Sequence, residues 1–591
     1  MMDQFVVVPD HEVTSAVGCL PWQPSHTIHH VSGRPWILAR LTASSLTHIH
    51  AGGNTVVLIG PGEPASPALE RTVAGCRTAT DLDRIVTDLP GLFHVIAAIG
   101  TDGVRIQGTA SGVRQVFYTR YRDGWWASDR ARTLAEMTGA QLDKAALALR
   151  LLEPMPHPLG RRALWEGIHT LPGGSWLHLD AQGHQRIHRW WQPPQPLNSL
   201  PTGAQEVRSA LQASVRLHLR DRTRVSSELS GGFDSTALLF LAAQERSVLA
   251  VTAESRDPLD DDREWAELAV RHSGRITHHV VAAHDVPLVY ADLDRAVEPL
   301  DEPSPGTASR ARVLAMTAPG RAAGADVHLT GHGGDHLFVG LATLWADLLP
   351  SRPLTAIRCL AAYRGMFRWS WADMARQLLP VSYREWLASR ALSGTGTDSR
   401  FPFLTWGLGA GIPPWTTPEG ASMIREEVSR AAQTATPLAK TPGGHLELDG
   451  IQDGARLVRA LTDITAHAGL PLSAPFFDDR VIEAALRVRV PDRVQPYLYK
   501  PVLAEAMRGV VPDALLRRTT KGVGNMAQAL GLRIHAEALS ELWSECRLAD
   551  RGLVDAAYLR KLSANPASPE LDDGSLLTTV ACELWLRTLE N

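Results

Sequence analysis

The chain has 591 residues, a formal net charge of −4 at pH 7 and 44% apolar residues. A chain of this length is too long for a single hydrophobic core and predicts two or three domains. Its balanced charge, with basic residues dispersed along the sequence, does not favour a nucleic-acid partner. No apolar stretch approaches the length of about 20 residues that a membrane-spanning helix needs, so we expect no membrane insertion.

The N-terminus and the cysteines indicate the compartment. Asp3 follows two methionines without a basic segment, so the N-terminus does not have the pattern of a signal peptide. The cysteines are scattered and form no C-x-x-C pair, which fits a reducing environment and argues against structural zinc. We therefore expect a cytoplasmic protein.

Residues 1–195 are predicted to form a β-rich domain. One amphipathic helix is predicted near Asp143–Leu152, and the Pro-rich segment Trp190–Pro196 marks a connector to the next domain. Short apolar runs separated by turns are typical of strands, and the clearest are Thr55–Ile59, Phe93–Ile99 and Val104–Gly108.

Residues 204–591 are predicted to contain a parallel α/β sheet. Between residues 341 and 451 the sequence is rich in Trp and Pro and helical in patches, which indicates an elaborated insertion or a lid. Elsewhere strand-like and helix-like segments alternate, as crossover connections require, and the first are Ser247–Thr252, Arg263–His272 and Thr277–Val281.

The most informative segment is the heptad Ser230–Thr236, with the sequence SGGFDST, which lies between a strand-like run, Val225–Leu229, and an apolar helical run from Ala237. A glycine-rich turn between strand and helix directs successive backbone N–H groups into an anion-binding concavity. Asp234 would repel phosphates unless a hard cation lay between them, which indicates Mg²⁺. The heptad lacks the G-K-[ST] ending of a Walker loop, so kinase or GTPase chemistry is disfavoured.

A second strand–glycine–carboxylate segment occurs at Val327–Phe338. In a doubly wound sheet such loops gather at the carboxyl ends of the strands, where ligands bind. Asp335 is therefore predicted as a second Mg²⁺ ligand opposite Asp234. The adenine is predicted to lie on the strand after the first crossover, near Val251 and Thr252.

The heptad resembles the pyrophosphate-binding loop of the ATP pyrophosphatases, and the order of the motifs resembles the synthetase domain of the asparagine synthetase family. The resemblance implies an adenine-nucleotide α-hydrolase-like fold, ATP and Mg²⁺ as cofactors, and adenylation of a substrate with release of pyrophosphate. The family's S-G-E-G-S-D-E, V-P-F-L-D, K-x-x-L-R-E-A and catalytic-lysine segments are matched by Thr330–His336, Ala474–Asp478, Tyr499–Ala506 and Arg518–Gly524.

The predicted active site combines these motifs. Lys521, Lys500 and His332 are the candidate catalytic residues, and Asp234 and Asp335 are the candidate metal ligands. The predicted nucleotide-binding residues are Leu229, Ser230, Gly231, Gly232, Asp234, Ser235, Thr236, Val251, Thr252 and Gly331.

Residues 1–195 resemble the family's glutamine amidotransferase domain, an N-terminal-nucleophile (Ntn) hydrolase of αββα architecture. That enzyme needs Cys as its first mature residue, because the thiol attacks glutamine. Here Met1 is followed by Met2 and the first cysteine is Cys19, so we expect a degenerate domain without glutaminase activity. The segments that carry the resemblance are Gly91–Phe93, Ala127–Asp129 and Leu171–Leu177.

Two branches of the family have lost this cysteine, the β-lactam synthetases and the lasso peptide cyclases. The resemblance to the first implies a Tyr at the position of His332, and His332 breaks that pattern. We therefore interpret the chain as a lasso peptide cyclase, a macrolactam synthetase that releases AMP and pyrophosphate. It would adenylate an Asp or Glu side chain of a precursor peptide and join it to the peptide's N-terminal amine as an isopeptide bond.

This interpretation implies a precursor peptide as substrate, with a leader-recognition protein and a leader peptidase of the same pathway as partners. The alternative is a small-molecule amide ligase resembling a β-lactam synthetase or a glutamine-independent asparagine synthetase. An inactive ATP-binding scaffold is disfavoured by the joint presence of Asp234 and Asp335. A thiolating or tRNA-modifying ATP pyrophosphatase would require a reactive cysteine and a basic face, and neither is evident.

Overall fold

The protein is described from a computed structural model of the chain. The description covers residues 3–10, 18, 20–41, 45–100, 102–122, 124–180, 182–394, 403–518, 525–566, 568–571 and 574–590.

The strands of the described residues are β1 (Gln4–Val7), β2 (His26–His29), β3 (Pro35–Arg40), β4 (Leu46–Ala51), β5 (Asn54–Ile59), β6 (His94–Ile99), β7 (Gly103–Gln107), β8 (Phe117–Tyr121), β9 (Gly124–Ser128), β10 (Ile168–Thr170), β11 (Ser175–Leu179), β12 (Gln185–Arg189), β13 (Val225–Glu228), β14 (Val248–Ala253), β15 (Ile276–Val281), β16 (Val327–Leu329) and β17 (Leu472–Ser473).

The helices of the same residues are α1 (Pro67–Ala74), α2 (Leu82–Asp88), α3 (Ala131–Thr138), α4 (Lys144–Leu149), α5 (Leu200–Leu219), α6 (Phe233–Glu245), α7 (Asp262–Arg271), α8 (Arg310–Ala322), α9 (Gly334–Phe338), α10 (Thr343–Asp347), α11 (Pro353–Phe367), α12 (Trp371–Gln377), α13 (Tyr383–Ser389), α14 (Pro418–Thr434), α15 (Pro442–His467), α16 (Asp479–Leu486), α17 (Val490–Arg493), α18 (Pro501–Ala506), α19 (Asp513–Leu516), α20 (Asn525–Ile534), α21 (Ala536–Leu542), α22 (Arg547–Asp550), α23 (Ala556–Ser563) and α24 (Ser575–Glu590). None of them is long and apolar enough to span a membrane.

The N-terminal part contains two antiparallel sheets, in the orders β10-β8-β9-β1-β3-β2 and β12-β11-β7-β6-β5-β4. Each strand contributes side chains to the layers on both of its faces, because successive side chains of a strand point to opposite faces. Phe5 and Val7 of β1 join Val57 of β5 in a core between the sheets, whereas Val6 packs in the cluster that contains α3 and α4. Helices α1 and α2 cover the second sheet. The predicted αββα architecture is confirmed.

The second part is built on a parallel sheet with the order β15-β14-β13-β16-β17. β13 lies between β14 and β16, with Val225 aligned to Val248 on one side and Val327 on the other. β14 and β15 follow on one side of β13, and β16 and β17 follow on its other side. This reversal of strand order confirms the predicted doubly wound sheet, and the crevice beyond β13 and β16 is where such sheets bind ligands.

Most predicted elements agree with the structure within one or two residues, including β5, β6, β7, β14 and β15. Two details differ. The helix after the heptad begins at Phe233 rather than Ala237, because Gly232 has an extended backbone and serves as its N-cap. The predicted insertion boundary at residue 451 falls inside α15, a continuous helix of 26 residues.

Candidate active site

The two predicted carboxylates lie at the switch point of the parallel sheet. Asp234 is in the first turn of α6, directly after β13, and Asp335 is in the first turn of α9, directly after β16. Because β13 and β16 are parallel neighbours, both helices begin at the same edge of the sheet. The structure therefore brings together the two loops that the sequence predicted from their shared pattern.

Glycines allow these loops to touch. A Cβ atom on Gly331 would lie 2.9 Å from the backbone nitrogen of Ser235, and one on Gly334 would overlap the carboxyl group of Asp234. Any larger residue at either position would push the β16–α9 loop away from the start of α6. The glycines of the second loop thus set the separation of the two carboxylates.

The ammonium group of Lys500 joins the two carboxylates. Its Nζ contacts the Asp234 carboxylate and lies 2.7 Å from Asp335 Oδ1. The Lys500 side chain is buried, whereas that of Asp335 is 51% exposed. Burial by itself lowers the pKa of Lys500, but the carboxylates of Asp234 and Asp335 outweigh it and hold the pKa above its ordinary value.

Tyr499 packs beside this group of charges. Its hydroxyl donates to Asp335 Oδ1 over 3.3 Å, and its ring meets Phe233 edge to face at 5.6 Å between centroids. The Lys500 ammonium lies 5.2 Å from the centre of the Tyr499 ring, within the range of a cation–π contact. Tyr499 begins the segment that resembles the K-x-x-L-R-E-A motif, but it was not predicted as a site residue.

The Ser230–Thr236 loop is fixed by a side chain from far along the chain. Arg518 donates to Asp261 over 2.6 Å, contacts Asp262, and reaches the carbonyl of Ser230 at 3.3 Å. Gly231 has a φ of +68° beneath this guanidinium, a conformation that favours glycine. Arg518, Asp261 and Asp262 were not predicted as site residues, because Arg518 lies 257 positions from Asp261 in the sequence.

A cavity of about 360 Å³ opens beside β14. Its volume is in the range of small-molecule sites, about 300–1,000 Å³. Of the two residues predicted to lie near the adenine, Val251 lines this cavity and Thr252 does not. The Thr252 hydroxyl instead donates to the Leu229 carbonyl over 2.6 Å. Their contact with adenine stays a prediction. The other lining residues include Glu228, Leu229, Ser230, Ala253, Ser255, Met526 and Leu530.

Glu228 connects this cavity to the second loop. Its Oε1 accepts from the N–H of Gly331 over 2.5 Å and from the hydroxyl of Thr330 over 3.0 Å. Thr330 Oγ1 in turn lies 2.6 Å from Nδ1 of His332. His332, a predicted catalytic residue, is thereby linked to the wall of the cavity, and Glu228 and Thr330 are polar site residues that the sequence did not reveal.

Lys521 lies outside the described residues. The described residues on either side of it are both at the site, because Arg518 binds the Ser230 loop and Met526 lines the cavity. The catalytic role of Lys521 stays a prediction.

Ala474–Asp478, the segment that resembles the family's V-P-F-L-D motif, connects two parts of the fold. Asp478, at its end, is fully buried and accepts a hydrogen bond from the N–H of Gly91 over 2.7 Å. The neighbouring Asp479 accepts from the N–H of Ala110 over 2.9 Å. This segment therefore joins the parallel sheet to the N-terminal layers.

Residues 206–587, more than half of the chain, match the family described as Asparagine synthase. The chain belongs to the asparagine synthase family. Proteins of Mycobacterium bovis and Mycobacterium tuberculosis, provisionally named as glutamine-hydrolyzing asparagine synthetases, are 26% identical to it over 410 residues, which is 66% of this chain. The chain spans 59% of the length of these curated relatives.

Two solved structures show a distant likeness. The allosteric regulatory enzyme of purine biosynthesis is 7% identical, covering 49% of this chain and 75% of that chain at a TM-score of 0.20. Glutamine phosphoribosylpyrophosphate amidotransferase from B. subtilis, complexed with ADP and GMP, is 10% identical, covering 57% of this chain and 76% of that chain, also at a TM-score of 0.20. These scores are too low to argue a common fold.

Members of the asparagine synthase family use ATP, typically with Mg²⁺, and the donor set of this site fits that ion. Asp234 and Asp335 both reach one ammonium group, so one cation can contact both carboxylates. Mg²⁺ is commonly held by one or two carboxylates together with phosphate oxygens. The described residues contain no cluster of three or more metal-binding side chains.

Proposed function

We propose that this chain is an ATP-dependent amide ligase of the lasso peptide cyclase type. The observation that carries the proposal is the pairing of Asp234 and Asp335 at the switch point, beside a cavity of about 360 Å³ next to β14. The cavity suits the adenosine of ATP, and the N-terminal turn of α6 suits its phosphates. Mg²⁺ would neutralise the phosphate charge between the two carboxylates.

The proposed reaction has two steps. A side-chain carboxylate of the precursor peptide attacks the α-phosphorus of ATP, and pyrophosphate leaves. The N-terminal amine of the same peptide then attacks the carbonyl carbon, a C–N bond forms, AMP leaves and the amine gives up a proton. The free amine has a pKa of about 8, so roughly a tenth is already neutral at pH 7. Holding amine and acyl-adenylate together is the larger contribution to the rate.

Exposed apolar side chains next to the site support a polypeptide substrate. Tyr497, Leu498 and Tyr499 are 80%, 59% and 44% exposed and directly precede Lys500. Val339 and Leu341, which follow α9, are also exposed, at 41% and 38%. Apolar side chains exposed together at the mouth of a site are typical of surfaces that bind a partner or a large substrate.

The experiment that tests the proposal uses synthetic linear peptides, without leader, taken from short reading frames found by searching the genes next to this one. We expect release of pyrophosphate and AMP and a product lighter than the peptide by one water. A peptide with an acetylated N-terminus is the matched control, because it can be adenylated but cannot close the ring. If neither the free nor the acetylated peptide causes release of pyrophosphate, the proposal is contradicted.

A small-molecule amide ligase is the second candidate, and the names of the mycobacterial relatives favour it. It predicts that free aspartate with ammonium ions supports pyrophosphate release and that the peptide does not. The same assay tests the N-terminal layers: under our proposal added glutamine is not hydrolysed and does not stimulate the reaction. Glutamate release that is lost on changing one N-terminal residue would contradict that expectation.

A further inference from the structure

A hydrogen-bond chain leads from the cavity wall to a histidine in the loop that carries Asp335. Glu228 is the last residue of β13 and lines the cavity. The chain continues through Thr330, which is 1% exposed, to the half-buried ring of His332. Glu228 ends β13 and Thr330 directly follows the neighbouring strand β16, so the sheet fixes the relative positions of these two residues.

Proton counting fixes the direction of each hydrogen bond. An ionised carboxylate only accepts, so the single proton of the Thr330 hydroxyl is directed at Glu228 Oε1, 3.0 Å away. The oxygen lone pairs of Thr330 then face His332. They accept the backbone N–H of His332 at 3.3 Å, and Nδ1 of the ring lies 2.6 Å from the same oxygen. A contact of that length to a lone pair requires a proton on Nδ1.

A proton on Nδ1 determines the other ring nitrogen. Neutral imidazole carries one proton, so Nε2 of His332 holds the lone pair and can accept a proton. The residues on both sides of His332 are held close to the phosphate-binding turn, since Gly331 abuts Ser235 and Gly334 abuts Asp234. His332 therefore lies in the loop that borders the phosphate-binding turn, where the acyl-adenylate would form under the proposed function.

We infer that Glu228 and Thr330 are positioning residues that hold neutral His332 as the Nδ1–H tautomer, ready to take the proton of the attacking amine at Nε2. The inference deepens the proposed ring closure and rests on it for its catalytic part. As the amine nitrogen bonds to the carbonyl carbon, its proton passes to Nε2 of His332, and the bond to AMP breaks. The tautomer itself is a property of the resting protein.

The test compares Thr330→Val with Thr330→Ser in the full chain. Valine has nearly the shape of threonine but no hydroxyl, while serine keeps the hydroxyl. The bond from the Gly331 N–H to Glu228 uses a backbone donor, which neither substitution removes. Nitrogen-15 NMR of histidine-labelled protein reports which ring nitrogen carries the proton, and His332→Gln identifies the resonances of His332. Measurements are made where the imidazole is neutral.

We expect a protonated Nδ1 in the parent protein and in Thr330→Ser, and loss of that preference in Thr330→Val. A protonated Nε2 in the parent, or the same tautomer in all three proteins, would overturn the inference. Equal urea midpoints for the two variants exclude a difference in folding as the cause of the change.

The catalytic part is measured by single turnover with the linear peptide. We expect Thr330→Val to close the ring about 10²-fold more slowly, in the range of general acid–base contributions, and to slow pyrophosphate release by a smaller factor. Thr330→Ser should recover most of the rate. A tautomer change without a change in ring closure would overturn the catalytic part alone. Failure of the parent to release pyrophosphate would instead overturn the proposed function, while the NMR result would still decide the tautomer.

Discussion

Lys500 combines two features that are unfavourable in isolation. Its ammonium is buried, and its backbone is left-handed, with a φ of 46° directly before Pro501. A left-handed conformation costs a non-glycine residue about 1–2 kcal/mol, and burial of an unpaired charge costs more. The contacts with Asp234 and Asp335 compensate both costs, so this residue and the two carboxylates are stable only as a unit.

Lys500→Met tests this dependence. The substitution keeps the side-chain length and removes the ammonium group that contacts both carboxylates, so we expect pyrophosphate release to fall by about 10²-fold. The free energy of unfolding should fall by about 2–3 kcal/mol, less than for a fully buried pair because Asp335 is half exposed. Lys561→Met on the exposed surface of α23 is the control. Pyrophosphate release at the parent rate would show that Lys500 only supports the fold.

Lys521→Ala tests the residue that the family motif predicts as catalytic. If its charge acts on the transition state, ring closure should slow by about 10²-fold while nucleotide affinity changes much less. Lys521→Arg should rescue poorly, because a planar guanidinium does not replace a compact charge. The readouts are single-turnover ring closure and equilibrium binding of ATP. An alanine variant that cyclises peptide at the parent rate would leave Lys500 as the remaining candidate lysine.

At the scale of elements, the phosphate-binding turn depends on its neighbours as well as on its own sequence. Arg518 clamps the turn to the N-terminal end of α7, and its guanidinium also lies over the ring of Trp265, 5.5 Å from the centroid. Thr252 on β14 holds the preceding carbonyl of Leu229. The strand on one side and the clamp on the other thus fix the position of the turn.

Arg518→Lys is expected to loosen the turn. A lysine cannot contact Asp261, Asp262 and the Ser230 carbonyl together, whereas the planar guanidinium does. We expect the KM for ATP to rise by about tenfold, which corresponds to about 1.4 kcal/mol. Arg517→Lys is the matched control, because Arg517 is adjacent and exposed. An equal effect of both substitutions would contradict the clamp.

The sequence predicted the parts of the site that are local in the chain. The strand, glycine turn and helix around Asp234 form one continuous motif, and the same pattern around Asp335 predicted its partner. It could not predict the contacts that join segments. The hydrogen bond between Glu228 and Thr330 links residues 102 positions apart, and their side chains show no pattern until the sheet places β13 beside β16.

The fold shows the same division. Alternating strands and helices were enough to predict the parallel sheet, because each crossover is a local unit. The extent of the helical insertion was inferred from Trp and Pro content, which does not mark where helices end. Helix α15 therefore continues through the predicted boundary, and it packs against the Pro305–Ser309 turn and α8 as well as against α10.

At the scale of the whole molecule, one carboxylate joins three parts of the structure. Glu302 accepts from Arg150 at the end of α4, and from Arg456 and Arg459 of α15, at 3.1, 2.9 and 2.6 Å. Burial by itself raises the pKa of Glu302, but Arg456, Arg150 and Arg459 outweigh it and hold the pKa well below its ordinary value. The N-terminal layers and the synthetase part are thus joined by charge as well as by packing.

Glu302→Gln should destabilise the protein by about 3 kcal/mol, because it leaves three guanidinium groups without their common partner. The pKa is lower in the folded than in the unfolded state, so the unfolded state binds the extra proton and the contribution of Glu302 is lost as the pH falls. The difference from the parent should therefore be complete at neutral pH and shrink below about pH 4. Urea unfolding at several pH values measures this, with the exposed Glu537→Gln as control. A difference that is independent of pH would contradict the ionic explanation.

The C-terminal helix α24 completes packing that begins in the N-terminal layers. Trp585 meets the ring of Trp165 at 5.6 Å, and Thr578 donates to the carbonyl of Leu151 over 3.3 Å. Trp165 and Trp585 are 420 residues apart in the sequence (585 − 165), so the ribosome makes them at different times. At about 5–20 residues per second, Trp165 is synthesised roughly 20–80 s before Trp585. During that interval the N-terminal layers expose an apolar face that the finished chain covers, so the newly made protein is most vulnerable to aggregation while it is still being translated.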